Sequence, residues 1–241
     1  YKPPTSNFFN DFLQLQRSMA ASNNALTPDV SKSDSIASSW WQWPILSGGI
    51  RMSIWGSNDR KYYMFGNPFT FMLTTIMLPF VIVGYLFNIL LNWKRGTQSF
   101  NEVAFWKMVM WVGMPILGYV FHFLPFVLMS RVTYFHHYMP ALYFAIIMTG
   151  SYLEYVTFDW RFRGVLFFLL YCLVITSFLI FYPTCLGMKT KSQDFAYMNW
   201  FKSWNMSVYI PLNRSWPLLK EHLKKTITFI FSSEFWKDIL S

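Results

Sequence analysis

The chain has 241 residues, of which 54% are hydrophobic, 22% aromatic and only 13% charged. A soluble domain has about a quarter of its residues charged, so this composition excludes an ordinary globular protein and indicates a membrane protein. The net charge of +9, from 20 Lys and Arg against 11 Asp and Glu, comes without a basic run or RNA-binding motif. It points to anionic headgroups and membrane orientation, not to nucleic acid.

The chain opens on Tyr1-Lys-Pro-Pro with no charged leader, and reads as a piece of a longer protein. From Asn7 to Leu26 the apolar residues Phe8, Phe12, Leu15 and Met19 recur at steps of four, three and four. That spacing predicts an amphipathic helix of about five turns, capped by Thr5 or Asn7 and ended by Asn23-Asn24 and Pro28. A polar loop follows over Ser31–Ser39, then Trp40-Trp41-Gln-Trp43-Pro44, whose indoles read as an interfacial anchor. Ile50 to Tyr63 alternates loosely, as a short hairpin would. Residues 1–67 together form a juxtamembrane segment.

Apolar runs at about 68–91, 105–129, 131–153 and 164–182 predict an all-α, four-helix transmembrane bundle. At 1.5 Å per residue, ~20 residues cross the hydrocarbon, and each run is long enough. Pro115, Pro125 and Pro140 predict kinks that neighbouring helices satisfy. Were the third helix to begin at Pro140, only about 14 residues would remain before Glu154, too few to cross. Its start is therefore expected near Arg131, with Arg131-Val-Thr-Tyr-Phe-His-His-Tyr on its first turns. On a 100° wheel Arg131, Tyr134, His137 and Tyr138 then share an arc of about 120°, with His136 opposite.

Lys94 and Arg95, with Lys107 nearby, flank one loop, and Arg161 and Arg163 another. The positive-inside rule makes both loops cytoplasmic and assigns residues 1–67, the Arg131 turn and the tail 183–241 to the lumen. The patterns Asn205-Met-Ser207 and Asn213-Arg-Ser215 are N-glycosylation acceptors on that same side. Beyond Ser215, Trp216, Leu219, Phe229, Ile230, Phe231 and Trp236 with Lys220, Lys224 and Lys225 suit a helix lying on the membrane surface. Cys172 and Cys185 define no disulfide framework.

The chemistry in view is narrow. No carboxylates pair at acid–base spacing, and no Ser/His/Asp set, Gly-rich phosphate loop or HExxH run occurs. Adjacent His136 and His137 cannot both face one metal from a regular helix, so no metal site is expected. Two readings of the cluster stand. Arg131, Tyr134, His136, His137 and Tyr138 clamp an anion such as phosphate, or Arg131 snorkels to headgroups while the histidines bond within the bundle. His122, between Pro115 and Pro125, reads as a packed histidine bonded to a neighbouring helix. A channel or transporter is disfavoured by the apolar spans and the lack of an inverted repeat.

Several strings point further. Ser22-Asn-Asn-Ala-Leu-Thr-Pro28, Trp41-Gln-Trp-Pro44, Gly66-Asn-Pro68 and Arg131-Val-Thr-Tyr-Phe-His-His-Tyr-Met-Pro-Ala141 stand in order at matching distances from the spans. With Tyr182-Pro-Thr-Cys-Leu-Gly187 and Trp200-Phe-Lys-Ser-Trp-Asn205, they resemble the carboxy-terminal third of a protein O-mannosyltransferase, from about Asn7 to Asn205. The turn at Tyr182-Pro-Thr-Cys departs from the family's usual wording, and nothing after Asn205 follows it.

The resemblance implies the membrane end of a GT-C type glycosyltransferase of the endoplasmic reticulum. Such enzymes move mannose from the lipid donor dolichyl phosphate mannose to Ser or Thr hydroxyls of proteins entering the lumen. They work as homo- or heterodimers of related subunits. It implies a β-trefoil MIR domain before Tyr1 and a catalytic acid in an earlier lumenal loop, so no catalytic residue is expected here. Arg131, His136, His137 and Tyr138 match the segment facing the donor phosphate. A noncatalytic partner subunit of a heterodimer is the alternative, and dependence on Mg2+ is left open.

Overall fold

The computed structural model describes residues 7–25, 36–53, 55, 60–95, 102–129, 131–188, 192–204, 206 and 212–230. Helix α1, Phe8–Ala25, has the predicted extent, and the Asp11 N–H donates to the Asn7 carbonyl at its start. A 3-10 turn at Trp40–Gln42 follows. Strands β1, Ile50–Arg51, and β2, Tyr63–Met64, then pair antiparallel, Ile50 opposite Met64 and Arg51 opposite Tyr63. The expected hairpin is therefore present, reduced to its base.

Helix α2 runs Pro68–Arg95. Next come α3, Glu102–Met108, a π turn, Val109–Gly113, and α4, Met114–Leu128. Pro115 has no N–H for the carbonyl of Trp111, and the widened turn stands immediately before it, where a break in the hydrogen-bond ladder belongs. Helix α5 is Met139–Val156, α6 is Arg163–Phe181, α7 is the short turn Pro183–Leu186, and α8 is Leu212–Ile230. Among the described residues, three helical stretches are long and apolar enough to cross a membrane: Pro68–Lys94, Phe105–Leu128 and Arg163–Phe181.

The helices pack up and down. Phe71 on α2 lies against Phe135 and Tyr138 just before α5, and Tyr155 near the end of α5 donates to Asn88 Oδ1 at 3.3 Å. Helices α2 and α5 therefore run parallel. Asn67 at the head of α2 donates to the Val174 carbonyl of α6 at 3.0 Å, and Phe65 just before it packs on Phe181 at the end of α6, so α6 returns antiparallel. Lys94, Arg95, Arg161 and Arg163 consequently gather at one end of the bundle, and Arg131 lies at the other. Close approach uses small residues, as membrane helices do: a Cβ at Gly118 of α4 would overlap the Phe144 ring of α5, and one at Gly84 of α2 the Tyr152 phenol. Outward faces carry exposed Ile76, Phe80, Phe87, Phe121, Phe168 and Ile175, a surface suited to lipid.

Two sequence expectations change. The third helix does not start near Arg131. Residues 132–134 form no regular element, with Tyr134 extended, Phe135–Tyr138 form a 3-10 turn, and the α-helix begins at Met139. Pro140 sits in the first turn of α5, where its missing N–H costs nothing. The shared arc of a regular wheel is therefore absent. The tryptophan run is also not a simple anchor: Trp41 is exposed, but Trp43 is fully buried.

The juxtamembrane segment is built into the bundle end. Leu46 adopts a left-handed backbone with φ 49° and directs its carbonyl to Trp204 Nε1, which donates at 2.7 Å. The Tyr63 hydroxyl donates to the Trp204 carbonyl at 2.5 Å and accepts from the Gly49 N–H at 2.8 Å. Burial pushes the Tyr63 phenol up to about 12, so it serves as a hydrogen-bonding hydroxyl throughout the physiological range. Lys61 and Met188 close an isolated bridge by two backbone hydrogen bonds, at 3.0 and 2.9 Å.

Helix α8 packs on α6 and on a 3-10 turn at Ser192–Met198. His222 engages the Leu179 carbonyl at 3.2 Å, and its ring stacks on Tyr197 and Tyr182. Trp216, Lys220, Lys224 and Ile227 stay exposed. Phe231 and Trp236 lie outside the described residues.

Candidate functional site

The site candidates occupy the connection between α4 and α5. Helix α4 ends at Leu128, where Met129 is already extended, φ −81° and ψ 132°. The segment then runs alongside Ser38. The Ser38 N–H donates to the Thr133 carbonyl at 2.9 Å, and the Thr133 hydroxyl returns to the Ser38 carbonyl at 2.7 Å. Trp43 Nε1 donates to Ser38 Oγ at 2.9 Å, so the same serine joins the segment to the buried indole.

Tyr134, His136 and His137 form one stack of rings. Tyr134 and His136 lie 5.7 Å apart with planes only 9° from parallel, and His136 and His137 lie 4.3 Å apart at 29°. His137 also lies against Phe126 and Trp43. Its Nδ1 is 3.0 Å from the Tyr134 nitrogen and 2.9 Å from the Tyr134 oxygen. With Nδ1 engaged by that backbone, Nε2 is the nitrogen left for a ligand. Burial holds the His137 imidazole below its ordinary value. The bond to Tyr134 opposes this, while the charges of His136 and Arg131 add to it. His137 is therefore a neutral hydrogen-bonding ring at neutral pH.

Arg131 is half-buried, and its charge reaches the His137 imidazole. Its Nη1 donates to Asn23 Oδ1 of α1 at 2.5 Å. Its Nε is buried and has no hydrogen-bond partner among the described residues. Leaving a charged donor buried and unpaired costs more than an ordinary hydrogen bond gains, and an anionic acceptor is the kind of group that would satisfy it.

The structure brings Arg131, Tyr134, His136 and His137 together and takes Tyr138 away. Tyr138 is 2% exposed and packs among Trp43, Phe71, Tyr119 and Phe123. The reason is the 3-10 turn: at about three residues per turn it directs position 138 into the bundle, while His136 stays exposed. His122 also departs from expectation, since its Nδ1 meets the Gly118 carbonyl of its own helix at 2.8 Å. Asn205 lies outside the described residues, and Asn213 falls in the first turn of α8. No group of three metal-ligating side chains occurs among the described residues.

Asn23, Ser38, Trp43 and Phe126 are the neighbours that sequence reasoning missed as site residues. Asn23 and Trp43 stand within the strings that carry the family resemblance, which was the available signal. Ser38 and Phe126 carried none.

The chain is similar to known proteins over most of its length. Residues 8–204 match the family model described as the C-terminal four-transmembrane region of protein O-mannosyltransferase. The chain is 37% identical over 212 residues to dolichyl-phosphate-mannose–protein mannosyltransferase 6 of Saccharomyces cerevisiae, covering 86% of this chain and 27% of that protein. It is 35% identical over 225 residues to the protein of the same name from Candida albicans, covering 85% and 27%. Its fold matches the solved S. cerevisiae protein O-mannosyltransferase Pmt1-Pmt2 complex bound to the sugar donor, with a TM-score of 0.66 at 24% identity, over 90% of this chain and 29% of that one. The chain thus spans roughly a quarter of the length of the curated relatives it matches. By the family model and these relatives together, the chain belongs to the protein O-mannosyltransferase family, whose carboxy-terminal membrane region it carries.

Proposed function

We propose that this chain is the carboxy-terminal membrane region of an endoplasmic reticulum enzyme that transfers mannose from dolichyl phosphate mannose to Ser or Thr hydroxyls. Within it, Arg131, Tyr134, His136 and His137 hold the phosphate of the lipid donor. The observation that carries this reading is the buried, unpartnered Nε of Arg131, whose charge reaches the stacked imidazole of His137. The names of the relatives specify the donor and the reaction class.

In the reaction the bond between the anomeric carbon and the phosphate oxygen breaks, and negative charge grows on the departing lipid phosphate. A fixed guanidinium is complementary to that charge and stabilises it more in the transition state than in the ground state. The imidazoles supply hydrogen bonds that orient the phosphate. The carboxylate that receives the acceptor's proton belongs to another part of the full-length protein.

Several further assignments belong to this reading. Helix α5 is the fourth crossing: its 18 residues span ~27 Å, close to the ~30 Å hydrocarbon. The end of the bundle carrying Arg131 faces the lumen, because the basic loops gather at the other end. Asn205 and Asn213 are then accessible to N-glycosylation. A second, related subunit completes the enzyme, as the solved relative is a two-protein complex.

The test is Arg131→Ala in the full-length protein, assayed for mannose transfer from the lipid donor to a Ser/Thr peptide. Loss of one charge-assisted contact predicts a transfer efficiency lower by about ten-fold or more. Near-normal transfer by a folded variant overturns the phosphate assignment.

A further inference from the structure

Arg131 is held from outside the membrane bundle. Asn23, which accepts its Nη1 hydrogen at 2.5 Å, is 108 residues away near the carboxyl end of α1. Every α1 residue whose side chain is described is exposed, so burial does not fix the helix against the bundle. Asn23 also falls on the same arc of α1, about 80° wide, as Phe8, Phe12, Leu15 and Met19. The hydrogen bond and the apolar stripe therefore turn to the same side.

The chemistry of the pair is specific. An amide oxygen accepts one guanidinium hydrogen without cancelling the positive charge, which an Asp at this position would do. A free Arg side chain carries rotamer entropy that binding must remove. A guanidinium already fastened at one corner loses less of it on meeting a ligand. With Nη1 occupied by Asn23, the fork is turned and its other N–H groups are kept for an anion.

We infer that Asn23 is a positioning residue for the lipid donor: it fixes the direction of the Arg131 guanidinium so that its free edge meets the donor phosphate. This inference rests on the phosphate assignment above. It adds a residue that touches neither the sugar nor the phosphate and acts only through Arg131.

The experiment is a double-mutant cycle in the full-length protein in native membranes, with donor KM and kcat measured at saturating acceptor peptide. Asn23→Ala is expected to raise donor KM about five- to ten-fold, with the acceptor KM and the melting temperature unchanged. Arg131→Ala raises donor KM further, and adding Asn23→Ala to it has no additional effect. If Arg131→Ala raises donor KM while Asn23→Ala leaves it unchanged, positioning is overturned and the phosphate assignment stands. Equal effects of Asn23→Ala in both backgrounds also overturn it. If Arg131→Ala itself leaves donor KM unchanged, the phosphate assignment fails and this inference falls with it. Asn23→Thr, which shortens the side chain at the same exposed site, provides the same cycle if the alanine variant accumulates poorly.

Discussion

The imidazole of His137 lies stacked on the indole of Trp43, with ring centroids 6.3 Å apart and planes 28° from parallel. The two residues come from opposite sides of the first two membrane helices in sequence, yet one supports the other. Trp43 is fully buried and also packs edge-on against Phe123 and Phe126 near the end of α4. Its ring packs against the His137 imidazole of the candidate site.

Trp43 is therefore expected to be the most sensitive aromatic position of the juxtamembrane segment. Trp43→Ala removes a buried indole and the hydrogen bond to Ser38, a loss of about 3–5 kcal/mol for a large aromatic truncation. Thermal unfolding of the detergent-solubilised full-length protein measures it. Trp43→Phe keeps most of the packing and should cost clearly less. Equal melting temperatures for Trp43→Ala and the parent would show that the indole is not part of the core.

A second prediction concerns the contact between α4 and α5. A Cβ at Gly118 would meet the Phe144 ring near its root, with Cγ at 2.7 Å, where the ring cannot simply swing aside. Gly118→Ala must separate the helices or force Phe144 off its rotamer, at about 1–3 kcal/mol. The double variant Gly118→Ala with Phe144→Leu should recover part of that loss. Thermal unfolding of both variants decides the matter.

The docking of α8 should weaken in acid. His222 is pressed between Tyr197 and Tyr182 and meets the Leu179 carbonyl and Thr226 Oγ1. Burial holds its imidazole below the ordinary value, the Leu179 contact opposes this, and the charge of Lys225 on the same helix adds to it. A group whose folded pKa is depressed favours the folded form while neutral. That contribution is complete above the free-histidine value of about 6.5 and is lost as pH falls through the lower folded value. Tryptic cleavage at Lys220, Lys224 and Lys225, taken relative to cleavage of an unstructured lysine peptide at the same pH, should accelerate from pH 7.5 to pH 5.5, and His222→Phe should flatten that dependence. An unchanged relative rate between the two pH values would contradict the role of His222.

Much of the bundle was legible because bilayer thickness constrains length and composition so strongly. The runs opening at Pro68, Phe105 and Gly164 needed no tertiary information, and the polar string between Arg131 and Tyr138 stood out against them. The start of the third helix does not follow from α-helical rise alone. Extended residues such as Met129 and Tyr134 advance ~3.3 Å and 3-10 residues ~2 Å each, so the segment before Met139 gains height without being α-helical. Pro140 was the better signal, since proline favours the first turn of a helix. Helix α5 also runs past Glu154, whose carboxylate pairs with Arg163 at 2.9 Å at the bundle end. Trp43 and Asn23 were not legible as site neighbours, because their partners stand about 90 and 108 residues away and no local spacing encodes such contacts.

The replacement of the helical wheel by a 3-10 turn makes opposite predictions for two adjacent positions. The wheel placed Tyr138 on the ligand face and His136 away from it. The turn buries Tyr138 among aromatic rings and leaves His136 exposed in the stack with Tyr134. His136→Ala should thus leave stability within about 0.5 kcal/mol, as surface substitutions do, while raising donor KM several-fold through loss of one hydrogen bond to the phosphate. Tyr138→Phe should do the reverse. It removes a buried hydroxyl that interacts with the Tyr119 phenol, at about 1 kcal/mol of stability, with donor KM near the parent value. Donor KM and melting temperature measured on both variants separate the two geometries. A higher donor KM for Tyr138→Phe with none for His136→Ala would restore the helical arrangement and displace His136 from the site.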